Sequence, residues 1–249
     1  MIILKSPDEI QKIRKASRVV AEVIEGITPM VVPGVTTYDL DRRAAEIVKE
    51  KGSKPAFKGY RGFPAVLCLS VNEEVVHGIP STKKVLKEGD IIGIDCGVII
   101  DGFYGDSAKT LPVRKVDAES EKLLRVTRES LEKGIEQMVV GKRLHDISWA
   151  VQSHAESNGF SVVREFVGHG IGRSLHEDPQ VPNFGNPNTG IRLTAGMVLA
   201  IEPMVNVGVK EVKILEDGWT AVTLDGKRSA HFEHTIALTE NGYEILSKL

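Results

Sequence analysis

Four acidic side chains stand in apolar runs, where an unpaired carboxylate is costly. Asp95 lies in IIGIDCGVII, Asp106 in FYGDSAKT, Glu202 in GMVLAIEPMV and Glu233 in AHFEHTIAL. Two histidines, His169 and His176, share the stretch FVGHGIGRSLHEDPQVPNF, where Gly168, Gly170 and Gly172 alternate. Glycine at every second position leaves one face almost bare, so a ligand or a second backbone can come close. An imidazole between two glycines suits a metal ion or a substrate; taken alone, the stretch is equally a glycine-rich turn with two surface histidines. Each acid taken alone is also compatible with solvated charge on a strand. Together they call for a cation, because adjacent buried carboxylates repel one another. Four carboxylates balance two divalent ions. Carboxylates with one imidazole suit manganese, iron or cobalt rather than a thiolate-type zinc site. Two ions on bridging carboxylates stand roughly 3.5 Å apart, an arrangement used for hydrolysis.

The elements that must position these residues can be read locally. Asp101-Gly102 is a strong two-residue turn signal between apolar arms, so 91–109 reads as a hairpin. That turn sets Asp95 opposite Ala108 and leaves Asp106 on the same face as Asp95, at diagonal range. Helices are expected over 6–27, with Ser6 and Glu9 as a capping box, and over 37–51, 117–138 and 146–157. Strands are expected over 65–71, 73–79 (carrying His77), 160–167, 198–205, 211–215, 219–224 and 232–238. A faint repeat runs through the chain. Met30-Val31-Val32, Gly34, Asp39 and Gly52 are echoed by Met138-Val139-Val140, Gly141, Asp146 and Gly159. It implies two similar α+β halves facing each other, with a site between them.

Composition narrows the class. At 249 residues with 41% hydrophobic and 27% charged side chains, the chain is expected to bury a real core. A net charge of −2 argues against a broad nucleic-acid surface, so no DNA partner is expected. Cys68 and Cys96 lie in apolar runs and read as buried free thiols of a reducing cytoplasm. The opening MIILKSPDE is too short in apolar residues for a signal peptide, and no apolar run reaches membrane-spanning length.

The motifs NEEVVHGIP, IDCGVIIDGFYGDSA, VGHGIG with HEDP, IEPM, DGWT and HFEHT resemble the methionine aminopeptidases, specifically the short bacterial type I form, nearly end to end. The resemblance implies an α+β pita-bread fold, two pseudo-symmetric halves around an antiparallel sheet, as one catalytic domain over 1–249. It implies a centre of two divalent ions (cobalt, manganese, iron(II) or zinc), with Asp95 chelating one, His169 and Glu202 the other, and Asp106 and Glu233 bridging. The implied activity is excision of the initiator Met, before a small second residue, by a metal-bridged hydroxide attacking the scissile carbonyl. Glu202 would shuttle the proton, His176 would stabilise the oxyanion, and His77 would donate to the peptide. The Met side-chain pocket maps to Phe57, Tyr60, Phe63, Cys68, Leu175 and Trp219, with His77 at its edge. Phe57 stands where the family often has Cys, and Leu175 where it often has Phe. A monovalent cation near Asn72 and Ser229, transient association with the ribosome, a cytoplasmic location and a monomeric state are further implications. His145, His154, His231 and His234 read as surface, packing or supporting residues.

Two rivals share the fold. A proline-directed peptidase of the aminopeptidase P or prolidase type is expected to carry an additional N-terminal domain, for which there is no room before Ser6. A non-catalytic binding module is expected to have lost ligands, whereas all five candidates are present here.

Overall fold

The helices begin where side chains take up their free amides. The computed structural model describes residues 1–249. Helix α1, Pro7–Ile27, starts at Ser6, whose hydroxyl accepts from the Glu9 amide while the Glu9 carboxylate accepts from the Ser6 amide. Helix α2, Thr37–Glu50, repeats the device with Thr36 and Asp39. Helix α3, Ala118–Ile135, is capped by Asp117. Helix α4, Leu144–Ser157, begins two residues before the expected Asp146. Asp146 marks that start from inside the first turn: its carboxylate accepts from the Arg143 amide at 2.8 Å and the Asn188 amide at 2.7 Å.

The sequence repeat is a structural repeat. Helices α2 and α4 each have 14 residues. The Gly34 and Gly141 amides, both at positive φ, donate to the carbonyls of Leu86 and Leu193. Isolated bridges join Thr36 to Val85 and, at the matching place, Arg143 to Arg192. Each half buries its own core. Val20, Ile24, Leu40, Ile47 and Ile94 pack under α1 and α2, and Leu123, Val126, Ile147, Val151 and Ile236 under α3 and α4.

In the first half the hairpin strands Ile91–Ile100 and Phe103–Pro112 pair along their whole length. Asp101 and Gly102 turn at φ 52° and 78°, both left-handed, as a type I′ turn requires. The resulting register sets Asp95 opposite Ala108 and Asp106 opposite Gly97. Leu67–Val71 pairs on the other edge of the Asp95 strand, with Cys68 opposite Asp95.

The second half departs from the expected strands. Val198–Ile201 pairs with His234–Thr239, and Gly168–Gly170 pairs on its other edge. Both long strands then break, at Glu202-Pro203 and at Phe232-Glu233. They resume as Met204–Asn206 and Ser229–His231, paired in a different sheet. Glu202 and Glu233 therefore sit at interruptions, not inside strands as 198–205 and 232–238 imply. The cause is local at Pro203, which has no amide to donate. It is non-local at Glu233, whose amide donates to Ala108 of the first half at 2.9 Å. The expected strand 160–167 is confined to Ser161–Val162, because Arg164 and Glu165 turn outward to solvent. The expected strand 73–79 ends at Val76, and His77 follows at φ 61°.

Buried hydroxyls join the halves along this seam. Ser107 Oγ donates to the Glu233 carbonyl at 2.7 Å. Thr110 Oγ1 donates to the His231 carbonyl at 2.7 Å and accepts from the His231 amide at 2.9 Å. Thr235 Oγ1 donates to the Asp106 carbonyl at 2.7 Å and accepts from the Asp106 amide at 3.4 Å. No helix is long and apolar enough to cross a membrane.

Thr235→Val keeps the side-chain shape and removes both bonds to Asp106. Urea unfolding is expected to show a loss of about 1–3 kcal/mol; unchanged stability would contradict the part given to this seam.

Candidate metal centre and substrate cavity

A cavity of about 660 Å³ opens where the two halves meet, and Asp95, Asp106, His169, Glu202 and Glu233 all line it. The first hairpin brings the two aspartates, the two strand breaks bring the glutamates, and the glycine-rich strand brings His169. That strand must be glycine on either side of the imidazole. A Cβ at Gly168 would stand 2.4 Å from the Ala200 carbonyl oxygen, and one at Gly170 2.2 Å from that of Asp178.

His169 Nδ1 lies 2.9 Å from the Gly170 carbonyl oxygen, which can only accept, so Nδ1 is assigned the proton. In the neutral ring Nε2 then carries a lone pair. It faces Glu202 Oε1 at 3.4 Å and Asp106 Oδ2 at 3.9 Å. Lone pair against an ionised carboxylate is repulsive unless a proton or a cation lies between. Ligand atoms of Asp106, His169 and Glu233 all fall within 4.8 Å of one another. Asp95 Oδ1, Asp106 Oδ1, Glu233 Oε1 and His231 Nε2 are buried without a hydrogen-bond partner. The donor set of hard oxygens and one imidazole fits divalent cations.

The electrostatics agree. Burial raises the Asp95 carboxyl from 3.8 to about 7. Asp106 is pushed well up by burial and then by the charges of Glu233 and Asp95. Glu202 is raised by burial and then by Asp106 and Asp95, and Glu233 by burial and then by Glu202 and Asp95. All four can be ionised together only opposite positive charge. Burial, then His176, lowers His169 to about 3, which leaves its imidazole neutral.

Apolar walls close the other side of the cavity. Phe57, Phe63, Cys68 and Leu175 are buried there, and Tyr60 and Trp219 partly so. Phe63 meets Trp219 edge-on at 5.1 Å. Phe57 rests on Gly97, where a Cβ would come within 2.6 Å of its ring. Burial, then the nearby acids Asp95 and Asp106, raises the Cys68 thiol, so it stays protonated and apolar. His77 stacks edge-on against Phe166 at 5.3 Å, and burial lowers it to about 4. His176 lies edge-on to His169 with ring centres 4.3 Å apart, and its Nδ1 is 2.8 Å from the Tyr60 hydroxyl.

Several contributors were given no role at the centre by the sequence reading. Glu177 holds the loop bearing Leu175 and His176, accepting from the Arg173 and Ser174 amides and from Lys5 Nζ at 2.6 Å. The only hint of that pair was a lone lysine ending the apolar start MIILK. His231, read as a supporting residue, turns its unpartnered Nε2 toward Glu202 Oε2 at 3.7 Å. Asn72 and Ser229 lie outside the cavity, where the Ser229 amide donates to the Asn72 carbonyl at 2.9 Å. Asn206, opposite Ser229, has a buried Oδ1 without a partner. His145 pairs with Thr189, His154 with Glu129 and His234 with Ser247, and none of the three lines the cavity.

The profile of metallopeptidase family M24 matches residues 11–240. The chain is 56% identical over 247 residues to the methionine aminopeptidase of Clostridium perfringens, covering 99% of both chains. It is 54% identical over 249 residues to methionine aminopeptidase 1 of Bacillus subtilis, covering 100% of both. The crystal structure of the methionine aminopeptidase from Thermotoga maritima superposes with a TM-score of 0.99 at 53% identity, over 100% of both chains. The prolidase from Pyrococcus furiosus shares the fold, with a TM-score of 0.79 at 20% identity, over 99% of this chain and 66% of that one. The fold is thus the pita-bread fold, and the chain belongs to metallopeptidase family M24.

Proposed function

We propose that this chain is a methionyl aminopeptidase that removes the N-terminal Met from new polypeptides when the second residue is small. The observation that carries the reading is the meeting, in one apolar-walled cavity, of four raised carboxylates with an imidazole lone pair. Full-length identity of about half to methionine aminopeptidases supports it over the proline-directed alternative, for which only the fold is shared.

In this reading Asp95 would hold one divalent ion, His169 and Glu202 would hold a second, and Asp106 and Glu233 would contribute to both, with manganese, iron(II), cobalt and zinc as candidates. Such ions supply a Lewis acid for the carbonyl and lower the pKa of water toward neutrality. The protein does the rest. Phe57, Tyr60, Phe63, Cys68, Leu175 and Trp219 enclose the Met side chain and exclude water, and aromatic walls suit a thioether. The free α-amino group lies toward Asp95, so only a chain terminus fits. His77, braced on Phe166, donates to the peptide beside the scissile bond. His176 donates to the scissile carbonyl oxygen as negative charge develops there. Glu202 takes the proton given up by the attacking water and returns it to the departing amine nitrogen. Asn72 and Ser229 are the place for a monovalent cation, beside the unmet Asn206 oxygen. The setting is the cytoplasm, where a monomer meets chains leaving the ribosome.

Two outcomes are expected. Metal-free protein given manganese, iron(II) or cobalt singly releases Met from Met-Ala-Ser and leaves Xaa-Pro peptides intact, while Asp106→Asn is silent with every metal. Cleavage only before proline, or near-normal turnover by Asp106→Asn, would refute the reading. The second outcome concerns pH. Asp95 holds its proton more tightly when folded, at about 7 against 3.8, and the other three acids shift the same way. Their contribution to the metal-free fold is therefore complete below the ordinary carboxylate range and is lost as pH rises through the folded values. The gap in Tm between manganese-loaded and metal-free protein should widen from about pH 5 to about pH 8; a constant gap would count against a shared cation.

A further inference from the structure

We infer that Tyr60 is a positioning residue that sets His176 as an Nε2–H donor, tying the Met side-chain pocket to polarisation of the scissile carbonyl. The inference rests on the aminopeptidase reading and adds a function for a hydroxyl that a purely apolar pocket would not need.

The Tyr60 hydroxyl and His176 Nδ1 are 2.8 Å apart, although 116 positions separate them in the chain. A neutral imidazole has one donor and one acceptor nitrogen, and the partner of one decides the other. A phenol, with a pKa of about 10, is a better donor than a neutral imidazole N–H, and an imidazole lone pair is a better acceptor than a phenolic oxygen. Tyr60 therefore donates, Nδ1 accepts, and the proton of the ring stays on Nε2. That is the tautomer an oxyanion needs; the opposite one would offer the carbonyl a lone pair.

The backbone on both sides is already held, so ring orientation and tautomer are what remain to be set. Leu175 is buried in the pocket wall, and Glu177 is tied to Lys5 and to two amides of its own loop. Tyr60 in turn belongs to a tight turn. Its amide donates to the Phe57 carbonyl and its carbonyl accepts from Phe63, each at 2.9 Å, while the Gly59 amide donates to the Phe63 carbonyl at 2.8 Å. Gly59, Arg61 and Gly62 all hold positive φ to make this turn. Phe57 and Phe63, which anchor it, are themselves walls of the pocket. A side chain filling the pocket thus bears on the same turn that carries the hydroxyl to His176.

The test is Tyr60→Phe, which keeps the ring and removes only the hydroxyl. With Met-Ala-Ser, kcat is expected to fall about 10- to 100-fold while KM stays within about threefold. In a His176→Ala background the same change should cost nothing further. Nitrogen-15 spectra of histidine-labelled, zinc-loaded protein, with His176 identified by its loss in His176→Ala, should show a protonated Nε2 and a bare Nδ1 in the parent. In Tyr60→Phe they should show a mixture of tautomers. Unchanged kcat in Tyr60→Phe, additive losses in the double variant, or a protonated Nδ1 in the parent would each overturn the inference. If the parent itself released no Met, the aminopeptidase reading would fall, and the nitrogen spectra would still decide the tautomer.

Discussion

Everything in this fold answers to one constraint: four carboxylates share a buried space in which the nearest imidazole, His169, is neutral. Uncompensated, such a cluster is among the most expensive things a protein interior can hold. Burial and mutual repulsion raise all four acids, and the donor geometry of His169 adds a lone pair in place of a positive charge. A cation would resolve the conflict, and in the proposed function it would also supply the Lewis acid for hydrolysis.

The two halves exist to bring those charges together without letting them move apart. Each half offers a strand pair, and the acids lie where the pairs abut. In the first half the hairpin is unbroken, and its turn alone fixes which way Asp95 and Asp106 face. In the second half both strands break at the acid and change sheets, so Glu202 and Glu233 are held by chain geometry across the seam. Ser107, Thr110 and Thr235 lock that seam through backbone groups of the very residues that carry or flank the acids. Hydroxyls suit this position because each can donate and accept in one buried place.

Local features were legible in the sequence wherever the cause was local. Ser6 with Glu9, the Asp101-Gly102 turn and the glycine pairs of the repeat each act over a few residues, and each is found where spacing puts it. The four acids were legible because their apolar flanks made them anomalous, and His169 because glycines stand on both sides of it. What escaped depended on distant partners. The run 232–238 looks continuous, and only the Ala108 carbonyl, from the other half, takes the Glu233 amide out of its ladder; the break in 198–205 is the exception, since its cause, Pro203, stands in the run itself. His77 reads as the middle of a strand but follows its end at φ 61°, which re-aims the ring. Lys5 and Glu177 are 172 positions apart, so no window of sequence contains the pair that steadies the His176 loop.

Raised by burial, the four acids hold protons until a cation replaces them. Metal binding to such a site must expel those protons. The direct measurement is calorimetric titration of manganese into metal-free protein near neutral pH, in two buffers of different ionisation enthalpy, which counts protons released per ion bound. Release of at least about one proton per chain is expected, because burial raises all four acids, Asp95 to about 7 and the other three well above their usual range. Tight binding with no proton release would mean that the carboxylates are already ionised and compensated by other means, and would contradict the exchange of protons for a cation.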